Sequence, residues 1–279
     1  MEAVNELGVL LNNSGKFKAT LQNISAGSNA PTTAIKPLCP TRFLARVAPV
    51  EATLKRYDEV LLALDELKGC NPVAYGLLDR LKQGNIVLGM FMATKVFTHL
   101  ENLNRSLQGR RQTLSGARDA VKRVMEELAD MRSDVTFDQL FEEVTSFIDE
   151  KDLDPVVLPR KRRPPKRLSG DADPFHHQNA KDHYKVQFFE MIDTAIGQLN
   201  SRFFQEGMGT YTLLEELLLN ECDDRTALEE YTEMDLRMLK VQIPMFHSQR
   251  SCSALADVVD ALREMSPEVS RAPIRMLIQ

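Results

Sequence analysis

The residues best suited to chemistry form a basic segment at positions 160–167. Its sequence is Arg160-Lys161-Arg162-Arg163-Pro164-Pro165-Lys166-Arg167, with six positive charges in eight residues. Such a segment can contact up to about six phosphates, which would give salt-sensitive binding without sequence specificity. It also resembles a nuclear import signal, and import is favoured over phosphate contact because the run is short and rich in Pro. A solvated loop is the plainest interpretation and stays open beside these two.

The charge balance confines any affinity for phosphate to this segment. The whole chain of 279 residues has a net charge of −5. Since the basic segment contributes six positive charges, the remaining residues together carry −11. A body this acidic excludes a general nucleic-acid binder, whose surface would be basic over a wide area.

The histidines and cysteines do not match a metal site. His176, His177 and His183 lie close together in the sequence, but their spacing fits no familiar zinc pattern, so solvated or capping roles are favoured. The four cysteines are far apart with no Cys-x-x-Cys pair, which predicts reduced thiols, and Cys222 and Cys252 are expected to be buried. We therefore expect no bound metal.

Patterns typical of enzymes are also missing from the sequence. The acidic pairs at 142–143 and 229–230 are interpreted as solvated helix faces rather than acid–base dyads. We find no Ser, His and Asp arrangement typical of a hydrolase and no Gly-rich loop that would hold phosphates. The sequence thus predicts no catalytic residue and no cofactor.

Composition limits both the fold and the compartment. The chain lacks Trp and only 6% of its residues are aromatic, which disfavours an all-β sandwich. The longest apolar run extends from Ile86 to Ala93, whereas a membrane span needs about 20 residues. The acidic N-terminus has no apolar stretch typical of a signal peptide. We expect a nuclear or otherwise cytoplasmic protein that is neither secreted nor embedded in a membrane.

Helical periodicity dominates the chain before the basic segment. An apolar stripe predicts one continuous helix from Val47 to about Lys68, ended by Gly69 and Pro72. A second helix is predicted over 86–107, and we expect its start to be buried because it is apolar on most sides.

Two more helices are predicted from their capping signals. Ser115 is expected to cap a third helix. Thr136 and Gln139 form a capping box for a fourth, which has the cleanest amphipathic pattern in the chain. Its apolar positions follow helical spacing at Phe137, Leu140, Phe141, Val144, Phe147 and Ile148.

The stretch 152–179 interrupts this pattern, because it contains five Pro and no helical period. Helices resume with Asn179 as the predicted cap of a long one, followed by a short helix around 213–218. Thr226 and Ser266 mark two further helix starts, with an apolar stripe over 255–262 between them. The fold is therefore predicted to be all-α, a multi-helix array with a long Pro-rich basic loop.

Several motifs occur in an order typical of one known family. The first is Cys39-Pro40-Thr41-Arg42-Phe43, followed by a long helix. The others are Val157-Leu158-Pro159 leading into the basic segment, the stretch 181–190, and the stretch 257–264. Together they resemble the hAT superfamily of transposases, and the branch of zinc finger MYM-type protein 1-like proteins in particular. The resemblance extends over most of the chain.

The resemblance implies a domain without its catalytic core. In hAT transposases a large helical domain is inserted into an RNase H-like core that holds metal ions with two Asp and one Glu, as two-metal phosphoryl transfer requires. This chain resembles that insertion with short flanks. The two Asp would precede Met1, the Glu would follow Gln279, and Glu264 and Glu268 lie too early to replace it. We carry over no catalytic residue.

One position departs from the family motif. The family's Trp, close to DNA in hAT transposases, is Phe43 here. Phe keeps an apolar face but loses the indole N–H and part of the stacking area. We favour a packing role for Phe43 over base stacking.

These observations lead to one expected function and one alternative. We expect a non-catalytic remnant or domesticated fragment of an hAT-type transposase, acting as a helical protein-interaction module that can self-associate. The alternative is a nuclear module that binds nucleic acid weakly and non-specifically through the basic segment. The expected organisation is an N-terminal helical flank, a helical subdomain, the Pro-rich basic loop, a second helical subdomain and a truncated C-terminal helix, at 1–40, 41–151, 152–179, 180–265 and 266–279.

The loss of the core also predicts an exposed apolar surface. The terminal segments would join the core in a complete transposase, so their apolar side chains are expected to be exposed and available for self-association. These are Leu7, Val9, Leu10, Leu277 and Ile278.

Overall fold

A computed structural model describes most of the chain. The described residues are 2–26, 35–36, 47–109, 112–160, 177–205, 207–219, 243–248, 252 and 254–264. Within these ranges the protein is all-α, as predicted, and the only strand-like feature is an isolated bridge between Gln83 and Asp154. The helices are α1 (Glu2–Asn13), α2 (Gly15–Ala26), α3 (Val47–Lys55), α4 (Tyr57–Leu67), α5 (Pro72–Lys82), α6 (Gly84–Leu107), α7 (Leu114–Met131), α8 (Asp134–Glu150), α9 (Ala180–Phe203), α10 (Met208–Leu218) and α11 (Leu255–Glu264).

The chain divides into two compact units, each made of two separate stretches. The first unit comprises Met1–Glu101 and Leu128–Thr194, and the second comprises Asn102–Glu127 and Ala195–Gln279. The long helices α6, α7 and α9 pass from one unit into the other. The five segments expected from the sequence stay a prediction.

The helix predicted from Val47 to Lys68 is wrong in one respect, because it is two helices. Arg56 lies between α3 and α4 with a non-helical ψ of 28°. Its guanidinium donates to the buried Glu59 carboxylate at 2.8 Å, and Ser25 donates to the same carboxylate at 2.6 Å. This polar cluster lies at the interruption of the helix, although the apolar stripe continues through it.

A helix that the sequence did not predict follows directly. Gly69 and Pro72 predict the end of a helix, and α4 does end at Leu67, but Pro72 is also the first residue of α5. The Asn71 side chain caps α5 by accepting hydrogen bonds from the backbone N–H groups of Val73 and Ala74, at 3.0 and 3.3 Å. Pro at the first helical position needs no partner for an N–H and has a suitable φ, so Asn71-Pro72 is a start signal.

The predicted caps of α7 and α8 are each displaced by two or three residues. Ser115 lies inside α7, and Thr113 accepts the hydrogen bond from the Gly116 N–H at 3.1 Å. Thr136 likewise lies inside α8, where Ser133 accepts from the Thr136 N–H at 3.2 Å. Both stretches contain several hydroxyl residues, and only backbone geometry decides which one caps.

The predicted helix over 86–107 is confirmed as α6, and the amphipathic helix before the basic loop is confirmed as α8. Val87, Leu88 and Met90 are buried at the start of α6, as expected. The buried face of α8 consists of Phe137, Leu140, Val144 and Ile148, whereas Phe141 and Phe147 are half-buried.

Helices α8 and α9 pack antiparallel in the first unit. Phe137 and Phe188 are both fully buried, with ring centroids 5.8 Å apart. Lys181 pairs with Asp138 at 2.7 Å, and Lys185, one turn later in α9, pairs with Asp134 at 3.2 Å, one turn earlier in α8. The two helices therefore run in opposite directions. Asn179 caps α9, as predicted, by accepting from the Asp182 N–H at 2.7 Å.

The prediction that the N-terminal apolar side chains are exposed is wrong for two of the three described residues. Leu7 and Leu10 are buried, and Val9 is exposed. Helix α1 packs along α5, where Arg80 pairs with Glu6 at 2.8 Å. The flank therefore has a packing partner within this chain. Leu277 and Ile278 lie outside the described residues.

The second unit has its own apolar cluster. Buried residues of α10 and its C-cap, of a short helical segment at 243–248 and of α11 pack together, and they are Leu214, Leu217, Leu218, Leu219, Ile243, Phe246, Val258 and Ala261. The predicted short helix around 213–218 and the stripe beginning at Leu255 are thus confirmed as helices. The predicted helix starts at Thr226 and Ser266 lie outside the described residues.

Candidate interaction surface

The structure describes only the beginning of the basic segment. Arg160 is exposed, in a non-helical stretch. Lys161, Arg162, Arg163, Lys166 and Arg167 lie outside the described residues. The stretch that leads into them, 152–160, is described in full and is non-helical, as predicted.

This leading stretch is fixed to the first unit at two points. The Asp154 N–H donates to the Lys82 carbonyl at 2.9 Å, next to the bridge between Gln83 and Asp154. The Val157 N–H donates to the Asn85 side-chain oxygen at 2.8 Å. The chain after α8 is therefore held against the junction of α5 and α6. We call residues 155–160, which follow the first of these contacts, the anchored segment.

The turn that brings the chain to this junction has identifiable causes. Asp152 has a φ of 50°, a left-handed conformation that Asp tolerates better than most residues. Lys151 donates to the Asp58 carboxylate at 2.6 Å and lies 3.1 Å from that of Glu150. These two carboxylates raise the pKa of Lys151 above its ordinary value. The end of α8 is thus tied to α4 before the anchored segment begins.

Gly84 permits the close approach of the two chain segments. A Cβ atom at this position would lie 2.5 Å from the Asp154 carbonyl oxygen and 2.9 Å from the Ile148 Cδ1. Both distances are too short for unstrained contact, so any other side chain would displace the segment. Gly generally destabilises a helix because it loses more conformational entropy than other residues on folding. The close contact explains its presence here.

The anchored segment presents aliphatic side chains to solvent. Val157 is 53% exposed and Leu158 is 37% exposed, and Arg160 follows them on the surface. Pro155 and Pro159 flank the aliphatic pair, and each fixes its own φ and removes a backbone donor. The result is a non-helical stretch with apolar and basic side chains at the surface.

The cysteine motif of the family resemblance cannot be placed. Cys39, Pro40, Thr41, Arg42 and Phe43 lie outside the described residues. Of the other cysteines, Cys70 is an exposed free thiol and Cys252 is half-buried, so the prediction of a buried Cys252 is only partly met. Cys222 lies outside the described residues.

Two of the neighbouring histidines lie together near the start of α9. The ring centroids of His177 and His183 are 5.5 Å apart, and a ring nitrogen of His183 is 3.1 Å from the Gln187 amide nitrogen. His176 lies outside the described residues. Among the residues that the structure describes, no three His, Cys, Asp or Glu side chains form a possible metal-ligand set.

Two buried carboxylates were missed from the sequence, and both serve as helix caps. Glu101 accepts from the Val47 N–H at 2.8 Å and so caps α3 from α6. Glu215 accepts from the N–H groups of Leu114 and Ser115 and so caps α7 from α10. Negative charge at a helix N-terminus is favourable. By contrast, Glu142 and Glu143 are exposed on α8, as predicted, while the pair at 229–230 lies outside the described residues.

The comparisons with known proteins add no relative. The chain matches no family model, no curated protein and no solved structure. In the described helices we also find no segment long and apolar enough to cross a membrane.

Proposed function

We propose that this chain is a non-catalytic helical protein-interaction module related to the hAT-type transposases. The observation that carries the proposal is the anchored segment, where Val157 and Leu158 are exposed on a backbone that is tied to the first unit. Exposed aliphatic side chains in a fixed position lose little freedom when a partner covers them. They are therefore suited to protein contact.

A second candidate function uses the basic segment to bind nucleic acid in the nucleus. It is favoured by the exposure of Arg160, the first residue of that segment. Phosphate binding through this segment would be weak, non-specific and strongly dependent on salt. Nuclear localisation follows both from this candidate function and from the interpretation of the basic segment as an import signal. Cytoplasmic localisation is the alternative.

A DNA titration separates the two candidates. The affinity of the full chain for duplex DNA is measured at low and moderate salt, with and without Arg160, Lys161, Arg162 and Arg163 changed to Ala. Absence of binding at low salt removes the nucleic-acid candidate. If the wild type binds DNA and the variant does not, the proposal that the chain serves protein contact alone is contradicted.

Two further measurements examine the remaining parts of the proposal. Metal-dependent cleavage of DNA strands by the purified chain would overturn its non-catalytic character. Self-association is measured by sedimentation over a range of protein concentrations. The burial of Leu7 and Leu10 removes two of the side chains that were expected to drive it, so contact through the anchored segment is the better supported mode.

A further inference from the structure

Two imidazole rings meet where the chain enters α9. His177 lies just before the cap Asn179, and His183 lies in the first turn of the helix. Their ring centroids are 5.5 Å apart, and the angle between the ring planes is 69°. Both residues are half-buried, so part of each side chain is open to solvent. The start of α9 thus brings together two histidines that lie six positions apart in the sequence.

The distance between the rings is close to that of two ligands on one metal ion. A Zn²⁺ ion binds an imidazole nitrogen at about 2.0–2.1 Å, which places the ion about 3.2 Å from the ring centroid. Two rings at a tetrahedral angle therefore have centroids about 5.2 Å apart. Because the observed separation is 5.5 Å, small rotations of the side chains let one ion contact both rings.

Neighbours on the helix hold His183 in place. Its ring packs edge-on against that of Tyr184, which is buried, with the centroids 5.0 Å apart. The Gln187 amide nitrogen, which can only donate, lies 3.1 Å from His183 Nε2. This ring nitrogen is therefore unprotonated and has the lone pair that metal binding requires. A bound ion would replace the hydrogen bond from Gln187.

The charges around the rings do not exclude a cation. Lys181 pairs with Asp138 at 2.7 Å and Lys185 pairs with Asp134 at 3.2 Å, so carboxylates on α8 offset both lysines. The helix dipole opposes a cation at the N-terminus of α9. The exposed carboxylate of Asp182, in the first turn, counteracts this term.

The number and type of ligands define the class of ion. Imidazole suits zinc, nickel and copper, whereas magnesium and calcium prefer carboxylate, carbonyl and water oxygens. Within the described ranges, no third His, Cys, Asp or Glu completes a ligand set with the two rings. A closed structural zinc site has four protein ligands, so binding by two rings and water would be weak and reversible.

We propose that His177 and His183 together bind one divalent transition-metal ion of the kind that imidazole prefers. Water molecules complete its coordination. The ion joins a residue before α9 to the first turn of that helix, so its binding stabilises the helix start. This site is separate from the anchored segment and does not depend on protein contact there.

The test is a calorimetric titration of the full chain with Ni²⁺, which binds imidazole and does not oxidise thiols. His177→Gln and His183→Gln each remove one of the two rings. Loss of a group that merely orients a metal ligand lowers affinity about 10–100-fold, so loss of a ligand is expected to lower it at least about tenfold. The matched control is His99→Gln on α6, which is expected to bind like the wild type.

A second control concerns the exposed thiol of Cys70, a possible ligand in its own right. Cys70→Ser is expected to bind Ni²⁺ like the wild type. Thermal unfolding followed by circular dichroism shows that each variant folds. Bound Ni²⁺ is expected to raise the unfolding temperature of the wild type more than that of His183→Gln.

Several results would overturn the proposal. They are failure of the wild type to bind millimolar Ni²⁺, unchanged affinity in His177→Gln or His183→Gln, and an equal loss in either control. Equal affinity of the wild type for Mg²⁺ would also overturn it, because that ion prefers oxygen ligands.

Discussion

Replacing Gly84 by Ala tests the close packing that fixes the anchored segment. The new Cβ would lie 2.5 Å from the Asp154 carbonyl oxygen, 2.9 Å from the Ile148 Cδ1 and 2.9 Å from the Pro155 carbonyl carbon. Two of these atoms belong to the backbone and cannot rotate away. Relief therefore requires a shift of the segment itself, which strains the hydrogen bond between the Asp154 N–H and Lys82.

The magnitude follows from two costs and one opposing gain. Overpacking of a well-packed site costs about 1–3 kcal/mol, and weakening one backbone hydrogen bond costs about 0.5–1.5 kcal/mol more. The gain from replacing a helical Gly by Ala is about 0.5–1 kcal/mol. We therefore expect Gly84→Ala to lower the free energy of unfolding by about 0.5–4 kcal/mol.

Gly89 provides the matched control within the same helix. A Cβ at Gly89 would meet nothing within 4 Å, so Gly89→Ala is expected to raise the free energy of unfolding by about 0.5–1 kcal/mol. Urea denaturation followed by circular dichroism compares both variants with the wild type, and hydrogen exchange at the Asp154 amide reports on the segment. If Gly84→Ala were as stable as Gly89→Ala, the described contact between Gly84 and Asp154 would be refuted.

Three further predictions concern the first unit. Phe137→Ala is expected to lower the free energy of unfolding, measured by urea denaturation, by about 3–5 kcal/mol, because Phe137 is fully buried. Phe141 is half-buried, so Phe141→Ala is expected to lower it by less, and equal losses would contradict this packing. Glu101→Ala leaves the Val47 N–H without this buried acceptor and is expected to cost about 1–3 kcal/mol, whereas Glu101→Gln keeps an acceptor oxygen and should cost less. Burial raises the pKa of Tyr57 above its ordinary 10.0, so the unfolded state releases this proton first and stability falls as the pH rises above that value. Tyr57→Phe should show a shallower fall in stability over the same alkaline range, and an unchanged slope would refute the assignment.

Apolar periodicity was enough to predict most of the helices near the candidate surface. The start of α6 is apolar on most sides and α8 has apolar positions at helical spacing, and both helices lie where the sequence predicts them. The stripe from Val47 to Lys68 also continues without a gap, yet the helix breaks at Arg56. Arg56 and Ser25 both contact Glu59 at this break, and the contact between residues 25 and 59 is invisible to local periodicity.

Start signals were harder to interpret than stripes. Gly69 and Pro72 predict the end of one helix, although Pro72 is the first residue of the next. The exposure expected for Leu7 and Leu10 followed from the idea of a missing core, and their burial depends on tertiary contact with α5. Pairing between distant segments decides such cases, and a single sequence does not encode it locally.

The candidate surface likewise has features that the local sequence predicts and features that depend on contacts between distant residues. The basic segment and the absence of a helical period over 152–160 can be predicted from the sequence alone. The attachment of Asp154 to Lys82 and of Val157 to Asn85 joins residues about seventy positions apart. Gly84 was the one sequence signal for this attachment. A Gly at a helix start that is not needed for a turn indicates that another chain segment approaches closely.

The central claim is that the surface at 155–160 contacts a protein. Amide hydrogen exchange of the full chain, at protein concentrations below and above the onset of self-association, tests it most directly. We predict slower exchange at Leu158 and Arg160 at the higher concentration, with exchange in α10 and α11 unchanged. Protection confined to other parts of the chain, or protection of these amides by duplex DNA and not by a second copy of the chain, would contradict the claim.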